Sequence, residues 1–269
     1  MTAEESVRDG NLEEGLRQLQ GEVRTDPSKA AHRIFLFQLL AVLGQWDRAL
    51  TQLNVVGELD AAALPLVQAY RDALQCEVLR GDVFAAKRAP LVFGEPTPWL
   101  ALLIEALRLD ALGNFAAAAA ARKAAFEQAP ATCGIIDGVP FEWLADADPR
   151  LGPTLEAIVN GRYYWIPLFR IARIEIQAPT DLRDRVWAPA TFTWTNDGQA
   201  VAFIPTRYAA TVASNDSALL LARRTEWLDY GADNIATRAL GQRMFATDTK
   251  EYALLDVREI EFDTGADHG

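Results

Sequence analysis

Histidine and cysteine are scarce in this 269-residue sequence, which contains two of each. One histidine, His32, falls in a helical pattern and the other, His268, in the tail, so they assemble neither a Ser/His/Asp arrangement nor a histidine-based metal site. The cysteines, Cys76 and Cys133, lie far apart in apolar surroundings, and we expect both to be buried free thiols. No glycine-rich phosphate loop is present. We therefore predict no catalytic residues, no metal site and no cofactor.

Long apolar runs are also lacking. No run of about eighteen apolar residues could span a membrane, and the first thirty residues lack the charged-then-apolar order of a signal peptide. We expect a cytoplasmic protein. The formal net charge is -11, whereas binding to nucleic-acid phosphates needs clustered Lys and Arg, so we expect neither nucleic acid nor a membrane as a partner.

The length and the apolar content indicate a folded globular protein. The chain exceeds the usual size of one domain, and 50% of its residues are hydrophobic, which is enough for a sizeable core. We predict two domains, and the composition divides the chain as follows: residues 1–130, a helical repeat domain; 131–160, an acidic joint rich in Gly and Pro; 161–262, an α+β domain; and 263–269, a loose tail.

The helical half contains a repeat of Gly, any residue, an apolar residue, two more residues and a small one. It begins at four glycines: Gly10, Gly44, Gly81 and Gly113. Their spacings of 34, 37 and 32 residues resemble the tetratricopeptide pattern of about 34 residues per helix pair. Glycine in the turn can adopt a positive φ, and the small residue lets two helices approach closely. The third unit is irregular, because Gly and Pro in residues 90–98 predict a loop in place of a helix.

The acidic joint carries the residues of one alternative hypothesis, a carboxylate-dependent enzyme centred on Asp146, Asp148 and Arg183. The two aspartates are also spaced like alternate ligands of a calcium loop. An EF-hand loop needs glycine at its sixth position, however, and counting from Asp146 that position is Leu151. Turn formation and capping are the favoured roles for these aspartates.

Beyond Gly161 the apolar period becomes strand-like, which predicts a small, mostly antiparallel α+β domain. The strongest signal is a hairpin, in which residues 192–194 and 201–204 flank the turn sequence Asn-Asp-Gly at 196–198. Four further strands are predicted, at residues 174–177, 219–222, 243–246 and 252–260. Two short helices are predicted, at residues 170–173 and 180–186. The predicted fold class is therefore α+β, with tetratricopeptide-like helical repeats followed by this domain.

The stretch from Gly161 to Pro189 contains five aromatic residues, three prolines and a charged run. Aromatic side chains bury large areas, and prolines prevent one long helix, so we predict that two parts of the molecule meet here. Charged residues also lie beside aromatics further along, and together they form a candidate contact surface: Arg183, Trp187, Arg207, Arg224 and Trp227. A structural role is favoured for them, because Arg stems pack on aromatic rings and guanidinium groups pair with carboxylates.

Four motifs follow one another in the second half of the chain: FEWLADADPRLGP at 141–153, IPTRY at 204–208, RRTEW at 223–227 and LGQRM at 240–244. Together with the aromatic stretch, they resemble the ImpE/TagJ-type accessory proteins of bacterial type VI secretion. The resemblance implies a cytoplasmic, non-enzymatic adaptor. Its implied partners are a subunit of the contractile sheath, the AAA+ ATPase that disassembles the sheath, or both. A general assembly chaperone is a further alternative.

The helical repeats suggest where such a partner binds. Stacked helix pairs form a concave groove, and the resemblance to tetratricopeptide arrays places the first helix of each pair along it. We expect a short helix of the sheath subunit or of the ATPase to lie in this groove through apolar contacts. The predicted contact residues are Ile34, Gln38, Ala41, Leu103 and Leu107.

Overall fold

The computed structural model describes residues 2–231 and 236–264. Its first half is helical, with α1 (Ala3–Arg8), α2 (Leu12–Thr25), α3 (Ala30–Val42), α4 (Trp46–Leu59), α5 (Leu64–Phe84), α6 (Pro98–Ala111) and α7 (Phe115–Gln128). The turns of α1/α2, α3/α4 and α6/α7 contain Gly10, Gly44 and Gly113, whose φ angles are 85°, 68° and 74°. Glycine adopts this left-handed conformation without the steric cost that a Cβ would add. Helix pairs therefore form at three of the four predicted positions.

The prediction for the third repeat is wrong. Gly81 does not make a turn but lies inside α5, which runs for 21 residues without a break. A single glycine costs a helix only about 1 kcal/mol, and buried residues on both sides of it, Arg80 and Val83, hold the helix against the rest of the protein. No second helix follows, because Pro and Gly occupy residues 90–98, as predicted.

The second half of the chain is built mainly from strands. They are β1 (Leu91–Val92), β2 (Gly134–Ile136), β3 (Val139–Phe141), β4 (Leu144–Asp146), β5 (Thr154–Val159), β6 (Arg162–Pro167), β7 (Ile171–Ile176), β8 (Trp187–Trp194), β9 (Gln199–Pro205), β10 (Thr225–Tyr230), β11 (Ala236–Gly241), β12 (Met244–Thr247), β13 (Glu251–Ala253) and β14 (Glu259–Phe262). One further helix, α8, spans Ser217–Leu220, and short 3-10 helices span Ala61–Ala63, Leu168–Arg170, Leu182–Arg185, Ala209–Ala213 and Leu254–Asp256.

Nine of these strands form the main sheet, in the order β1-β6-β5-β9-β8-β7-β14-β2-β3. β1 pairs with β6 in parallel, and the other neighbours are antiparallel. The remaining strands form a three-stranded sheet, β13-β12-β4, and the hairpin β10-β11. The fold is therefore α+β with a mostly antiparallel sheet, as the sequence predicts.

Local predictions in this half have mixed outcomes. The β8/β9 hairpin is confirmed, and its turn holds Asp197 at a φ of 63°. The short helix after Asp181 is also confirmed as the 3-10 helix Leu182–Arg185, whose Asp184 carboxylate accepts from the backbone N–H groups of Thr180 and Asp181 at 2.8 Å each. The strand predicted at residues 219–222 is wrong, since Asp216 instead caps α8. The helix predicted at residues 170–173 is wrong as well, because β7 begins at Ile171 and pairs with β8.

The helices pack on one face of the main sheet. On β6, the alternate residues Tyr163 and Trp165 point to the helices and share a core with them, whereas Ile166 belongs to a second core on the opposite face. Strand β5 is buried along its whole length because both of its faces are covered. The predicted joint, residues 131–160, thus contains a central strand of the sheet. The domain boundaries stay predictions, and residues 265–269 of the predicted tail, with His268, lie outside the described residues.

Candidate functional site

The side chains of Arg80 and Glu156 connect the helical layer to the sheet. Arg80 lies on α5 and Glu156 in the middle of β5, and both are almost fully buried. Arg80 Nε donates to Glu156 Oε1 at 2.7 Å, and Arg80 Nη2 donates to Glu156 Oε2 at 3.0 Å. This two-pronged geometry is the strongest form of the arginine–carboxylate contact. It fixes α5 on the central strand.

A second arginine, Arg243, lies just before β12 and is fully buried. Its guanidinium donates to the carboxylates of Glu156 and Asp146, and its Nε donates to the carbonyl of Pro205 at 2.9 Å. Glu156 is therefore shared by two arginines. The LGQRM motif supplies one of them, and the FEWLADADPRLGP motif supplies Asp146.

The aspartates of the FEWLADADPRLGP motif have separate partners. Asp146 accepts hydrogen bonds from the Asp148 backbone N–H at 2.8 Å and from the Tyr208 hydroxyl at 3.0 Å. Asp148 accepts from Arg150 Nε at 2.9 Å and from the Ala239 N–H at 3.0 Å. The two carboxylates therefore join the turn after β4 to β11 and to the IPTRY motif. The bonds that the two aspartates accept from the backbone N–H groups of Asp148 and Arg150 are the turn contacts favoured from the sequence, whereas their ion pairs with Arg243 and Arg150 were not predicted.

Aromatic side chains of the stretch from Gly161 to Pro189, which we predicted to be a meeting point, donate hydrogen bonds to the buried carboxylates and to one another. The Tyr163 hydroxyl donates to Glu156, and Trp165 Nε1 donates to the Tyr163 oxygen at 2.7 Å. Trp187 Nε1 donates to Glu77 on α5 at 3.1 Å. Buried aromatic side chains with polar edges thus satisfy the carboxylates at the boundary between the helices and the sheet.

We call the following eight buried residues the ion network: Glu77, Arg80, Asp146, Asp148, Arg150, Glu156, Arg207 and Arg243. Four carboxylates face four guanidinium groups, so the network is neutral when all of them are ionised. Arg207 donates to the carbonyls of Val42 at 2.7 Å and Leu220 at 2.5 Å, where α3 and α8 end. Burial with these neutral partners lowers the pKa of Arg207 to about 10.

The pKa values of the two shared carboxylates move in opposite directions. Burial alone would raise the pKa of Glu156, but the guanidinium groups of Arg80 and Arg243 outweigh burial and lower it to about 2. Burial raises the pKa of Asp146 to about 7, although the ion pair with Arg243 opposes the rise. Of these two carboxylates, Glu156 is therefore the one that its arginine partners hold in the charged form.

A pH dependence of stability follows from Glu156. Its pKa in the fold lies below the ordinary value of 4.5, so its contribution is fully present above about pH 4.5 and is lost as the pH falls towards 2. We expect a stability advantage of the wild type over Glu156→Gln at pH 5. It should shrink below that by up to about 1.4 kcal/mol per pH unit in urea titrations. Glu175→Gln, at a more exposed glutamate, is the control. A pH-independent advantage of the wild type would contradict this assignment.

The structure does not assemble the three residues of the enzyme hypothesis. Asp146 and Asp148 belong to the ion network, whereas Arg183 pairs with Asp181 at 2.6 Å and lies over the ring of Tyr70. Among the described residues, no group of three His, Cys, Asp or Glu side chains could hold a metal ion. Nor is any helix in the described ranges long and apolar enough to cross a membrane.

The predicted groove is not an open surface. Four of its five contact residues are buried, namely Gln38, Ala41, Leu103 and Leu107, and Ile34 is partly buried. The chain itself covers this side of α3, because the 3-10 helix Leu182–Arg185 packs on it and the Arg207 guanidinium donates to the carbonyl of Ala41 at 3.3 Å. The expectation that these positions are accessible to a partner is wrong, since they form part of the core.

The other candidate surface is only partly exposed. Trp187 and Arg207 are buried, and Arg183 is largely covered. Arg224 and Trp227 remain accessible at the start of β10, where Arg224 pairs with Asp216 at 2.6 Å. These two positions are therefore the part of that surface that another protein can reach.

The two cysteines also differ in burial. Cys76 on α5 is buried, and burial raises the pKa of its thiol to about 12. Cys133 is exposed just before β2, so the expectation that it is buried is wrong. Its side chain extends from the stretch between α7 and the sheet, where apolar neighbours in the sequence do not cover it.

Sequence reasoning missed Glu77, Arg80 and Glu156. A signal was available for Glu156, because a carboxylate between Leu155 and Ala157 in an otherwise apolar strand needs a buried partner. Arg80 and Glu77 are three residues apart on one face of α5, a spacing at which side chains meet. The sequence does not show which arginine forms an ion pair with which carboxylate.

The comparisons with known proteins agree over most of the chain. The sequence model of the ImpE protein family matches residues 138–261. The type VI secretion system accessory component TagJ of Pseudomonas aeruginosa is 54% identical over 263 residues, which cover 98% of this chain and 92% of that protein. The crystal structure of protein VPA1032 from Vibrio parahaemolyticus has a TM-score of 0.88 over 97% of both chains. At 23% identity it shows a shared fold.

The fold and the ion network define an α+β protein whose charged motifs bind one another and hold a helical layer on a sheet. The extent of the identity to TagJ then fixes the family. This chain belongs to the ImpE family, that of the TagJ-type accessory proteins of type VI secretion.

Proposed function

We propose that this protein is a cytoplasmic, non-enzymatic adaptor of type VI secretion, which binds a sheath component, the AAA+ ATPase that disassembles the sheath, or both. The observation that carries the proposal is the 54% identity to TagJ over 98% of this chain, since that relative is an accessory component of such a system. The ion network supports it, because Asp146, Asp148 and Arg150 of the FEWLADADPRLGP motif and Arg243 of the LGQRM motif are buried and form ion pairs with one another.

The contact surface for such a partner lies outside the buried groove. On β10, Trp227 is exposed to 38% although it is a large apolar side chain, whereas the neighbouring Leu228, exposed to 41%, lies on the opposite face of the strand. Exposed apolar patches mark sites of protein contact, and an amphipathic helix can cover such a patch with residues three and four positions apart. We place a short helix of the partner on this strand.

The test uses purified proteins. The immobilised full-length chain should retain the purified sheath complex or the purified ATPase with a Kd of about 1–10 μM or tighter, measured by biolayer interferometry. Trp227→Ala should weaken that binding by about tenfold or more, as expected for a central aromatic contact. Val201→Ala, at a residue exposed to 72% on β9, is the matched control and should bind like the wild type.

Three outcomes separate the hypotheses. Retention of neither protein at concentrations on the order of 100 μM would refute the adaptor proposal. Equal binding by wild type and Trp227→Ala would move the contact away from β10. Retention of unfolded, unrelated proteins in place of the two named partners would favour the assembly chaperone.

A further inference from the structure

A cleft of about 340 Å³ lies where α1, α3, residues 179–185 and the chain after α8 meet. Four of its lining residues are large and apolar: Val7, Phe35, Leu182 and Leu221. Val7 and Leu221 are buried, and the other two are partly buried. The volume is within the range of sites that bind small ligands or anchoring side chains.

Three arginines line the same cleft, namely Arg8, Arg185 and Arg223. The guanidinium groups of Arg8 and Arg185 form no hydrogen bond or ion pair with any residue that the structure describes. Arg223 Nη2 donates to the Arg8 carbonyl at 2.6 Å, which is an uncharged partner. Arg8 and Arg223 are exposed, and Arg185 is half-buried with its nitrogen atoms open to solvent. A ligand in the cleft can therefore reach all three.

Carboxylates of the chain offset only part of this positive charge. Asp181 lines the cleft but pairs with Arg183 at 2.6 Å, so of the described lining residues Glu4 is the carboxylate left to oppose three arginines. The whole chain has a net charge of -11, so the cleft differs in sign from the protein around it. The complementary ligand is an anion. Guanidinium groups bind carboxylates through two parallel hydrogen bonds, which makes an acidic side chain a suitable occupant.

We propose that this cleft binds a segment of a partner protein in which an acidic residue is adjacent to a large aliphatic one. The carboxylate is bound by Arg185 together with Arg8 or Arg223, and the aliphatic side chain packs on the apolar lining. A free phosphate could use the arginines but would leave the apolar lining uncovered, so the two features together favour a peptide. The inference rests on the proposed function only in that a partner protein supplies the segment.

The probe is the peptide N-acetyl-Glu-Leu-Leu-Glu-amide, titrated against the full-length protein at low salt by isothermal calorimetry and ligand-observed NMR. One control peptide has Gln in place of both Glu, and the other has Ala in place of both Leu. We expect the Glu peptide to bind about five- to tenfold more tightly than the Gln peptide, as one charge-assisted hydrogen bond predicts. Added salt should reduce that preference by screening. The Ala peptide should bind about fivefold more weakly or worse, because it buries less apolar area.

Two variants of the protein should change the affinity in opposite directions. Arg185→Gln should abolish the preference for the Glu peptide and leave the binding of the Gln peptide nearly unchanged. Since Arg185 forms no ion pair within the described ranges, this variant should unfold at the same urea concentration as the wild type. Glu4→Gln removes the opposing carboxylate and should tighten the binding of the Glu peptide by about two- to threefold. Arg162→Gln, at an exposed arginine on β6 outside the lining, is the matched control and should change neither affinity.

Several results would overturn the inference. The first is equal affinity of the wild type for the Glu and Gln peptides, or no binding of the Glu peptide at millimolar concentration. Displacement of the peptide by inorganic phosphate at concentrations below the Kd of the peptide would make the cleft a site for a free anion. A wild-type dimer in light scattering that Arg185→Gln abolishes would make a second copy of this chain the occupant. None of these measurements uses the sheath complex or the ATPase, so this inference and the proposed function can fail separately.

Discussion

The variant Arg243→Met is expected to unfold with a free energy about 3–5 kcal/mol below that of the wild type. Arg243 is fully buried and is the arginine that contacts both Asp146 and Glu156. Methionine fills much of the same space but leaves the network with four carboxylates and three guanidinium groups. An uncompensated buried charge is the costly element here, rather than the loss of any one hydrogen bond.

The matched control is Arg224→Met on β10. Arg224 also contacts two carboxylates, Asp216 and Glu226, but its side chain is 44% exposed. Water solvates the carboxylates that it leaves behind, so a much smaller loss than that of Arg243→Met is expected. Urea titrations followed by circular dichroism compare the two variants with the wild type. Similar losses in both would mean that burial of the ion network does not determine its contribution to stability.

Local chemistry was readable from the sequence. Gly10, Gly44 and Gly113 predict turns because an αL backbone there is a property of glycine itself. The Asp197-Gly198 turn and the short helix after Asp181 are likewise decided within a few residues. The turn predicted at Gly81 was wrong, because contacts between α5 and distant residues outweigh the small free-energy cost of one glycine in a helix.

The pairing of charged residues that lie far apart in the chain could not be predicted from the sequence. The partners in the ion network are 76 residues apart for Arg80 and Glu156, and 97 apart for Asp146 and Arg243. The sequence has 26 basic and 37 acidic residues, so charge alone does not select these pairs. The contact of α5 with the sheet brings Arg80 to Glu156, and the pairing of β4 with β12 brings Arg243 to Asp146, so both pairs depend on the assembled layers.

The prediction of an open groove was wrong because it also depends on long-range packing. Its residues have the apolar pattern of an interaction surface, but a buried helix face has the same pattern, and the sequence does not distinguish a partner protein from the chain's own sheet. The contact that covers Ala41 and Val42 comes from Arg207, 166 and 165 residues away. The aromatic stretch was predicted correctly as a meeting point, because its composition requires burial whichever layer supplies the partner.

A double-mutant cycle on Arg80 and Glu156 should show strong coupling between the helical layer and the sheet. Arg80→Met and Glu156→Met each leave the buried network with one unbalanced charge, so each should cost about 3–5 kcal/mol. The double variant removes one charge of each sign and restores neutrality. Its loss should therefore be smaller than the sum of the two single losses by about 2–3 kcal/mol.

The exposed pair Arg108 and Glu105, on α6, provides the control cycle. The two side chains are 2.7 Å apart but are exposed to 52% and 44%, so water screens the pair and its coupling should be much weaker than that of Arg80 and Glu156. Equally weak coupling in both cycles would mean that, in each single variant, water or neighbouring groups stabilise the charge that has lost its partner. Strong coupling for Arg80 and Glu156 alone would mean that α5 is held on β5 by charge balance, because apolar burial at the two positions is similar in the single and double variants.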